Sequence, residues 1–152
     1  MAGRERNRII LAEIVSAQVL GPKITAEKIM ASYKDSVLHM WGERGLGTVA
    51  LPSKIILSFS ELGGFFIAKV PSLYQREALA SFSCVVDICS KPVTIRVISV
   101  SGRLKTIVVQ TMHKILDWRH NLPVNYSVSR KSELDALVRG SIADLAALPK
   151  YV

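Results

Sequence analysis

One segment in the second half of the chain combines residue types that bind phosphate. The β-branched run that ends at Val100 continues as Ser101-Gly102-Arg103-Leu104-Lys105. Glycine permits backbone geometry that other residues resist, arginine offers a planar fork of donors, and lysine supplies a compact charge. Backbone N–H groups at such a corner can also face an anion. Because Ser-Gly turns are common in proteins without ligands, this corner predicts a phosphate site only when other cations join it.

The N-terminal segment carries a second group of cations. Arg4, Arg6 and Arg8 occupy alternating positions directly before an apolar run. In an extended chain, alternating side chains lie on the same side, so the three guanidinium groups would line one surface. A disordered arm that only improves solubility is the alternative interpretation. We predict one RNA-binding set, which comprises Arg4, Arg6, Arg8, Ser101, Gly102, Arg103 and Lys105.

The charge balance favours a polyanionic partner. The 152 residues include 20 Lys and Arg against 12 Asp and Glu, which gives a formal net charge of +8. Nucleic acid is the leading candidate for such a chain, and an anionic membrane surface is the second. The apolar runs are short and interrupted, so we expect neither a transmembrane span nor a signal peptide. The length is typical of one core, and we expect one domain followed by a C-terminal extension.

Residues that could perform catalysis are scattered. His39, His113 and His120 fall on different predicted elements, without metal-ligand spacing. The carboxylates form no Asp-x-Asp or paired-Glu pattern of the kind that a two-metal nuclease needs, and the sequence has no Gly-x-Ser-x-Gly elbow. We therefore predict no metal site and no active site within the chain itself.

Hydrophobic periodicity predicts an alternating order of strands and helices. The predicted elements are a strand at 9–17, a helix at 25–42, strands at 54–60 and 65–70, a helix at 72–90, a strand at 93–100, and helices at 107–118 and 132–148. The first helix has Thr25 as its N-cap. Its predicted apolar stripe comprises Ile29, Met30, Tyr33, Val37, Leu38 and Trp41.

Several local signals set the expected boundaries of these elements. Gly42 to Gly47 are expected to form a flexible connector, and Ser72 with Gln75 a capping box that opens the second helix. Cys84 and Cys89 fall on different faces of that helix, which excludes a disulfide between them. The last helix is expected to be capped at its start, by Ser132 and Asp135.

The order of the first six elements is βαββαβ, which is typical of a ferredoxin-like or RRM-like sandwich (RRM, RNA-recognition motif) with an antiparallel sheet. We expect this α+β domain to span residues 1–120 and the C-terminal extension, with one helix, to span 121–152. One sheet face is free of the two crossover helices, and either extra helices or single-stranded RNA can cover it. The run GFFIAKV at 64–70 loosely resembles an RRM base-stacking strand but lacks its leading cation, which favours core packing.

Five stretches of the chain resemble the Pop five family, the small protein subunit shared by ribonuclease P and ribonuclease MRP. Cations precede an aliphatic run and a glutamate in RNRIILAEI at 6–14, and a helix ends in a Gly-containing turn in HMWGERGLG at 39–47. KIIL at 54–57 and GFFIAKVP at 64–71 are similar to the two strands that follow. The family pattern Val-x-x-Val-Ser-Gly-Thr-Ile-Arg/Lys is matched by VISVSGRLK at 97–105, with Arg103 in place of the threonine.

The resemblance covers roughly residues 4 to 115 and implies a protein that is not catalytic by itself. In this family the catalyst is a magnesium-dependent RNA, so magnesium is expected on the RNA and no cofactor on the protein. The resemblance implies removal of the 5′ leader from precursor tRNA and, in the MRP particle, processing of ribosomal RNA. It also implies as partners the ribonuclease P or MRP RNA, precursor tRNA near the site, a barrel-shaped Rpp thirty subunit and other proteins of the complex. The implied location is the nucleus and nucleolus.

Two other classes of function remain as alternatives. A basic structural or matrix-type protein that binds RNA or an anionic membrane would share this charge balance. A stand-alone nuclease would need an acid, a base and a metal constellation, which the sequence does not offer.

Overall fold

A computed structural model describes residues 6–16, 24–59, 64–121 and 128–148. The strands are β1 (Asn7–Val15), β2 (Lys54–Phe59), β3 (Phe65–Pro71), β4 (Asp87–Ile88), β5 (Lys91–Pro92) and β6 (Thr94–Ser101). The helices are α1 (Ala26–Gly45), α2 (Gln75–Ser83), α3 (Leu104–His120) and α4 (Val128–Ala147), with a π-helical turn at Leu46–Ala50 and a 3-10 turn at Ser72–Tyr74.

The four long strands form one antiparallel sheet in the order β2-β3-β1-β6. This is the strand order of a ferredoxin-like fold, and it confirms the βαββαβ prediction. β1 is an interior strand of this sheet, and Ile10, Leu11 and Ala12 are fully buried. Because alternate side chains of β1 face opposite layers, this strand contributes to both halves of the core.

Helices α1 and α2 cover one face of the sheet. The side chain of Thr25 accepts a hydrogen bond from the backbone N–H of Lys28, as expected for an N-cap. The apolar face of α1 comprises Ile29, Tyr33 and Val37, which are all buried. The ring of Tyr33 stacks on that of Phe82 at a centroid distance of 4.1 Å, which fixes α1 against α2.

Helices α3 and α4 cover the opposite face. Ile107, Val108 and Ile115 of α3 join one apolar cluster with residues of the sheet and of α4. Exposing a side chain of this size to water costs about 1.5–3 kcal/mol, so removing α3 from the sheet would cost several times that amount. Helices α3 and α4 therefore cover the sheet face for which the sequence allowed either extra helices or single-stranded RNA. Single-stranded RNA does not lie on this face. None of the described helices is both long and apolar enough to span a membrane.

Both phenylalanines of the candidate base-stacking strand belong to the core. Phe65 is 5% exposed and Phe66 is fully buried, one in each apolar layer. The preference for core packing is thus confirmed.

The expected flexible connector after the first helix is wrong. Gly42 has a positive φ of 72° and interrupts α1, yet helical structure resumes at once and reaches Gly45. A π-helical turn follows, closed by a hydrogen bond from the Leu51 N–H to the Leu46 carbonyl at 2.8 Å. Leu38 and Trp41 are 43% and 42% exposed, so the buried stripe of α1 is narrower than predicted. The indole N–H of Trp41 (Nε1) donates a hydrogen bond to Ser81 Oγ at 3.0 Å.

The second helix is much shorter than predicted. It ends at Ser83, and a small hairpin of β4 and β5 occupies the rest of the predicted span. The adjacent Val85 and Val86 disfavour a helix because they are β-branched, and a hydrogen bond from the Val93 N–H to the Val86 carbonyl joins the ends of the hairpin segment. Ser72 opens a 3-10 turn, and its side chain caps no helix.

The cysteines therefore do not share a helix. Cys84 follows the last residue of α2, and Cys89 lies in the hairpin turn with a positive φ of 54°. Both are exposed and free.

The starts of β1 and α4 also differ from the prediction. β1 begins at Asn7 rather than at Ile9, and residue 17 lies outside the described residues. α4 begins at Val128, so Ser132 and Asp135 lie within it and do not cap it. Asp135 instead accepts a hydrogen bond from Arg119 Nε at 2.6 Å, which joins α4 to α3.

Candidate nucleic-acid interface

Strand register brings the predicted basic residues to one end of the sheet. Ile9 of β1 pairs with Ser101 of β6 on one side and with Lys69 of β3 on the other. Since the strands are antiparallel, the start of β1 meets the ends of β3 and β6. We call this region the basic end of the sheet. It comprises Arg6, Arg8, Lys54, Lys69, Ser101, Gly102, Arg103 and Lys105.

The Arg8 side chain lies against Gly102. A Cβ atom built on Gly102 would lie 2.5 Å from Nη1 of Arg8. The guanidinium group therefore lies across the glycine, where any side chain would displace it. The expectation of unusual backbone geometry at this glycine is wrong, because positive φ values among the described glycines occur only at Gly42 and Gly64. Gly102 is needed for space and not for a left-handed backbone.

Ser101 and Arg103 shape the turn into α3. The Ser101 hydroxyl accepts a hydrogen bond from the Arg103 backbone N–H at 3.1 Å. Arg103 has an extended backbone and gives α3 no side-chain cap. The first N–H groups of a helix lack intrahelical partners and carry the positive end of its dipole. The start of α3 thus adds donors to the cations around it.

The cations of the basic end have no acidic partners among the described residues. In that part of the chain, ion pairs join Arg96 to Glu13 and Arg119 to Asp135, and neither pair lies at this end. Arg6, Arg103 and Lys105 are exposed, whereas Arg8 is half-buried. The arrangement leaves a row of positive charges accessible to an anion.

The predicted site residues thus fall into three groups. Arg8, Ser101, Gly102 and Arg103 lie together, and Lys105 follows on the first turn of α3. Arg6 lies just before β1, where its carbonyl accepts a hydrogen bond from the Ser72 N–H at 2.8 Å. Arg4 lies outside the described residues. Their contact with RNA stays a prediction.

Lys54 and Lys69 were missed by the sequence analysis. They are directly opposite each other, at the first residue of β2 and near the end of β3. The signal was present in the sequence, because the two lysines lie on either side of the predicted hairpin turn. Counting pairs outward from that turn would have brought both lysines to the same end of the sheet but one residue out of register, because an irregularity between Ile55 and Leu57 shifts the pairing.

Other chemistry-bearing residues form no comparable group. The described residues contain no set of three or more His, Cys, Asp and Glu side chains that could hold a metal ion. Arg96 is 67% exposed and pairs with Glu13.

Comparison with known proteins places this fold in a family. Residues 8–111, more than half of the chain, match the model of the Rpp14/Pop5 family. A chain in the cryo-EM structure of yeast ribonuclease MRP shares the fold, with a TM-score of 0.56 and 10% sequence identity over 97% of this chain and 99% of that chain. A comparison with curated proteins found no match. The chain therefore belongs to the Rpp14/Pop5 family of ribonuclease P and ribonuclease MRP protein subunits.

Proposed function

We propose that this subunit is not catalytic by itself and that the β1-β6 corner of its basic end (Arg6, Arg8, Ser101, Gly102, Arg103 and Lys105) binds and stabilises the catalytic RNA of ribonuclease P, and also that of ribonuclease MRP. The complexes would remove the 5′ leader from precursor tRNA and process precursor ribosomal RNA. The observation that carries the proposal is the row of cations that have no acidic partner among the described residues, at one end of a family fold.

The chemistry of these groups supports binding rather than catalysis. Guanidinium, ammonium, hydroxyl and backbone N–H groups all donate hydrogen bonds to phosphate oxygens. Arginine stays protonated at neutral pH, so Arg8 and Arg103 cannot act as general bases. Their role is to neutralise phosphates that would otherwise repel each other where RNA segments meet. Magnesium ions would be held by the RNA, close to the scissile phosphate.

The proposed partners follow from the family and from the surface. We place precursor tRNA near the basic end, and a barrel-shaped Rpp thirty subunit and other proteins of the complex against apolar surface elsewhere. Leu51, Leu73 and Val86 are 77%, 83% and 72% exposed, which gives apolar contact area to a protein partner. The nucleus and nucleolus are the proposed location.

Charge reversal at the turn into α3 tests the proposal. The double variant Arg103→Glu and Lys105→Glu is reconstituted with the RNA and the other subunits, and cleavage of precursor tRNA is followed across a salt series. We expect weaker assembly and a shallower dependence on salt, because phosphate contacts release counterions. Cleavage equal to that of the wild type at every salt concentration would remove these residues from the interface.

A second measurement tests the absence of catalysis. The purified protein, given magnesium and precursor tRNA but no ribonuclease P RNA, should leave the substrate intact. Magnesium-dependent cleavage that copurifies with the protein and is lost in a folded variant would show an active site in the chain.

A further inference from the structure

We infer that Lys54 and Lys69 form a second phosphate-binding site, which holds the RNA backbone on the β2-β3 side of the basic end. This inference rests on the proposed function and extends it from the β1-β6 corner to the whole width of the sheet. The ligand is a phosphate of an RNA strand, shared by the two ammonium groups.

The pairing of the two lysines is the first argument. They are register partners on neighbouring antiparallel strands, and directly opposite side chains have Cβ atoms about 4.5–5.5 Å apart on the same face. Like charges in this position destabilise a sheet. Neither lysine has an ion pair with a described residue, so nothing in this part of the chain offsets their repulsion. A bound phosphate would offset it.

The surroundings of the pair favour an anion that approaches from the end of the sheet. On β3, Ile67 precedes Lys69 by two positions on the same face and is fully buried under the α3 and α4 layer. On β1, Ile9 is the register partner of Lys69 and is 5% exposed. Lys69 is half-buried and Lys54 is exposed. Lysine stems pack on apolar surface of this kind while the ammonium groups reach water.

The distance across the sheet indicates an extended ligand. Lys54, Lys69, Ile9 and Ser101 form one row through the four strands. Adjacent strands are about 4.8 Å apart, so the row spans about 14 Å from Lys54 to Ser101. One phosphate cannot bridge this width. A nucleic-acid strand can, with one phosphate on the lysine pair and another at the turn of Ser101 and Arg103.

The test compares variants that lose equal charge in different places. Lys54→Gln with Lys69→Gln removes two charges from the pair. Lys34→Gln with Arg139→Gln removes two from exposed positions on α1 and α4 and serves as the control. The full-length proteins are titrated with ribonuclease P RNA over a salt series, and thermal unfolding verifies that each variant is folded.

We expect the lysine-pair variant to bind about tenfold more weakly, as loss of a charge-assisted contact predicts. The slope of log K against log salt should fall in magnitude by about 0.7–0.9, the value for one phosphate. The control should keep the wild-type slope, and Lys54→Arg with Lys69→Arg should restore binding.

The remaining outcomes separate this inference from the proposed function. If the wild type binds the RNA and the lysine-pair variant behaves as the control does, the second site is wrong and the proposed function stands. If the wild type shows no salt-dependent binding to the RNA, both are wrong. Phosphatidylserine vesicles that bind the wild type more tightly than the RNA, and lose binding in the lysine-pair variant, would assign the pair to a membrane and overturn the inference.

Discussion

An arginine lies at each end of strand β1, in opposite electrostatic settings: Arg8 belongs to β1 itself, and Arg96 belongs to the neighbouring β6. Near the C-terminal end, Glu13 is the register partner of Arg96, and the two form an ion pair. At the N-terminal end, Arg8 lies across Gly102 beside Arg103, and no acidic residue of the described chain pairs with these arginines. One end is therefore balanced within the fold, and the other is not.

This difference separates what holds the fold together from what binds a partner. A surface ion pair contributes about 0–1 kcal/mol, whereas the apolar layers on both faces of the sheet contribute far more. The charges at either end therefore contribute little to the stability of the fold, and those at the basic end repel each other. Cations that have no acidic partner among the described residues can bind an anion from outside the chain, as the proposed RNA contact requires.

Charge reversal at the basic end should have the largest effect. In the double variant Arg8→Glu and Arg103→Glu, two phosphate contacts are lost and two repulsions replace them. A hydrogen bond to a charged group contributes about 1.5–3 kcal/mol, so affinity for ribonuclease P RNA should fall about 100-fold or more. A binding titration of the folded variant measures this loss.

The opposite end of β1 supplies the matched control. Exchanging Glu13→Arg and Arg96→Glu preserves the cross-strand pair and the net charge. RNA affinity should stay within about twofold of the wild type, because the repositioned charges still neutralise each other at short range. An equal loss in both double variants would mean that general disruption of the sheet, and not the position of the charge, weakens binding.

Gly102→Ala tests the basic end without changing any charge. The new Cβ would lie 2.5 Å from Nη1 of Arg8, so the guanidinium group must move off the turn. We expect affinity for the RNA to fall about tenfold, which corresponds to about 1.4 kcal/mol. Stability should change by less than about 0.5 kcal/mol, since only the end of a flexible side chain is displaced.

Gly140→Ala on α4 is the control for this substitution, because a Cβ there meets nothing within 4 Å. It should raise the stability of the helix by about 0.5–1 kcal/mol and leave RNA affinity unchanged. If the two alanine variants bind RNA equally well, the position of the Arg8 side chain over Gly102 has no role in recognition.

The sequence predicted the basic end better than it predicted the boundaries of the elements. Two local signals predicted it: the alternation of Arg6 and Arg8, and the turn at Ser101 and Gly102. The βαββαβ order of elements was sufficient to place these two segments at the same end of the sheet. Lys54 was missed because its register partner, Lys69, lies on the other strand of a hairpin. Its role depends on register, which hydrophobic pattern alone fixes weakly at the open end of two strands.

The errors in the helices have a different cause. α2 and the small hairpin were merged because Val85, Val86 and Cys89 continue a helical spacing, although β-branched residues favour extended structure. At Gly42 the error is in the other direction: the glycine predicted the end of the helix, but it only interrupts α1. In both places two local signals conflict, and a single sequence does not reveal which one prevails.

The interior beneath the basic end gives a prediction about pH. The Tyr33 hydroxyl lies 3.0 Å from Ser53 Oγ, directly before Lys54, and burial raises the pKa of Tyr33 from 10.0 to about 12. Because the unfolded chain ionises first, the stabilisation is present below about pH 10 and is lost as the pH rises toward 12. Between about pH 9 and 11 the wild type should lose roughly 1 kcal/mol more free energy of unfolding than Tyr33→Phe.

Urea unfolding of the two proteins at each pH measures this difference. Tyr33→Phe should bind RNA as the wild type does at neutral pH, because the substitution leaves every cation of the basic end in place. Parallel stability curves in the alkaline range would show that the hydroxyl ionises as easily in the fold as in the unfolded chain.

The smallest effect is expected from Glu13→Gln, which leaves Arg96 without its partner. Arg96 is 67% exposed, so the loss of stability should be less than about 1 kcal/mol. Residue 13 is five positions from residue 8 along an extended strand, or about 16 Å, which exceeds the screening length of about 8 Å at physiological salt. An uncompensated arginine at this end should therefore leave RNA affinity and its salt slope unchanged. If Glu13→Gln steepened the slope as much as a phosphate contact does, the protein would attract RNA through its total charge, and the contrast between the two ends of β1 would not matter for binding.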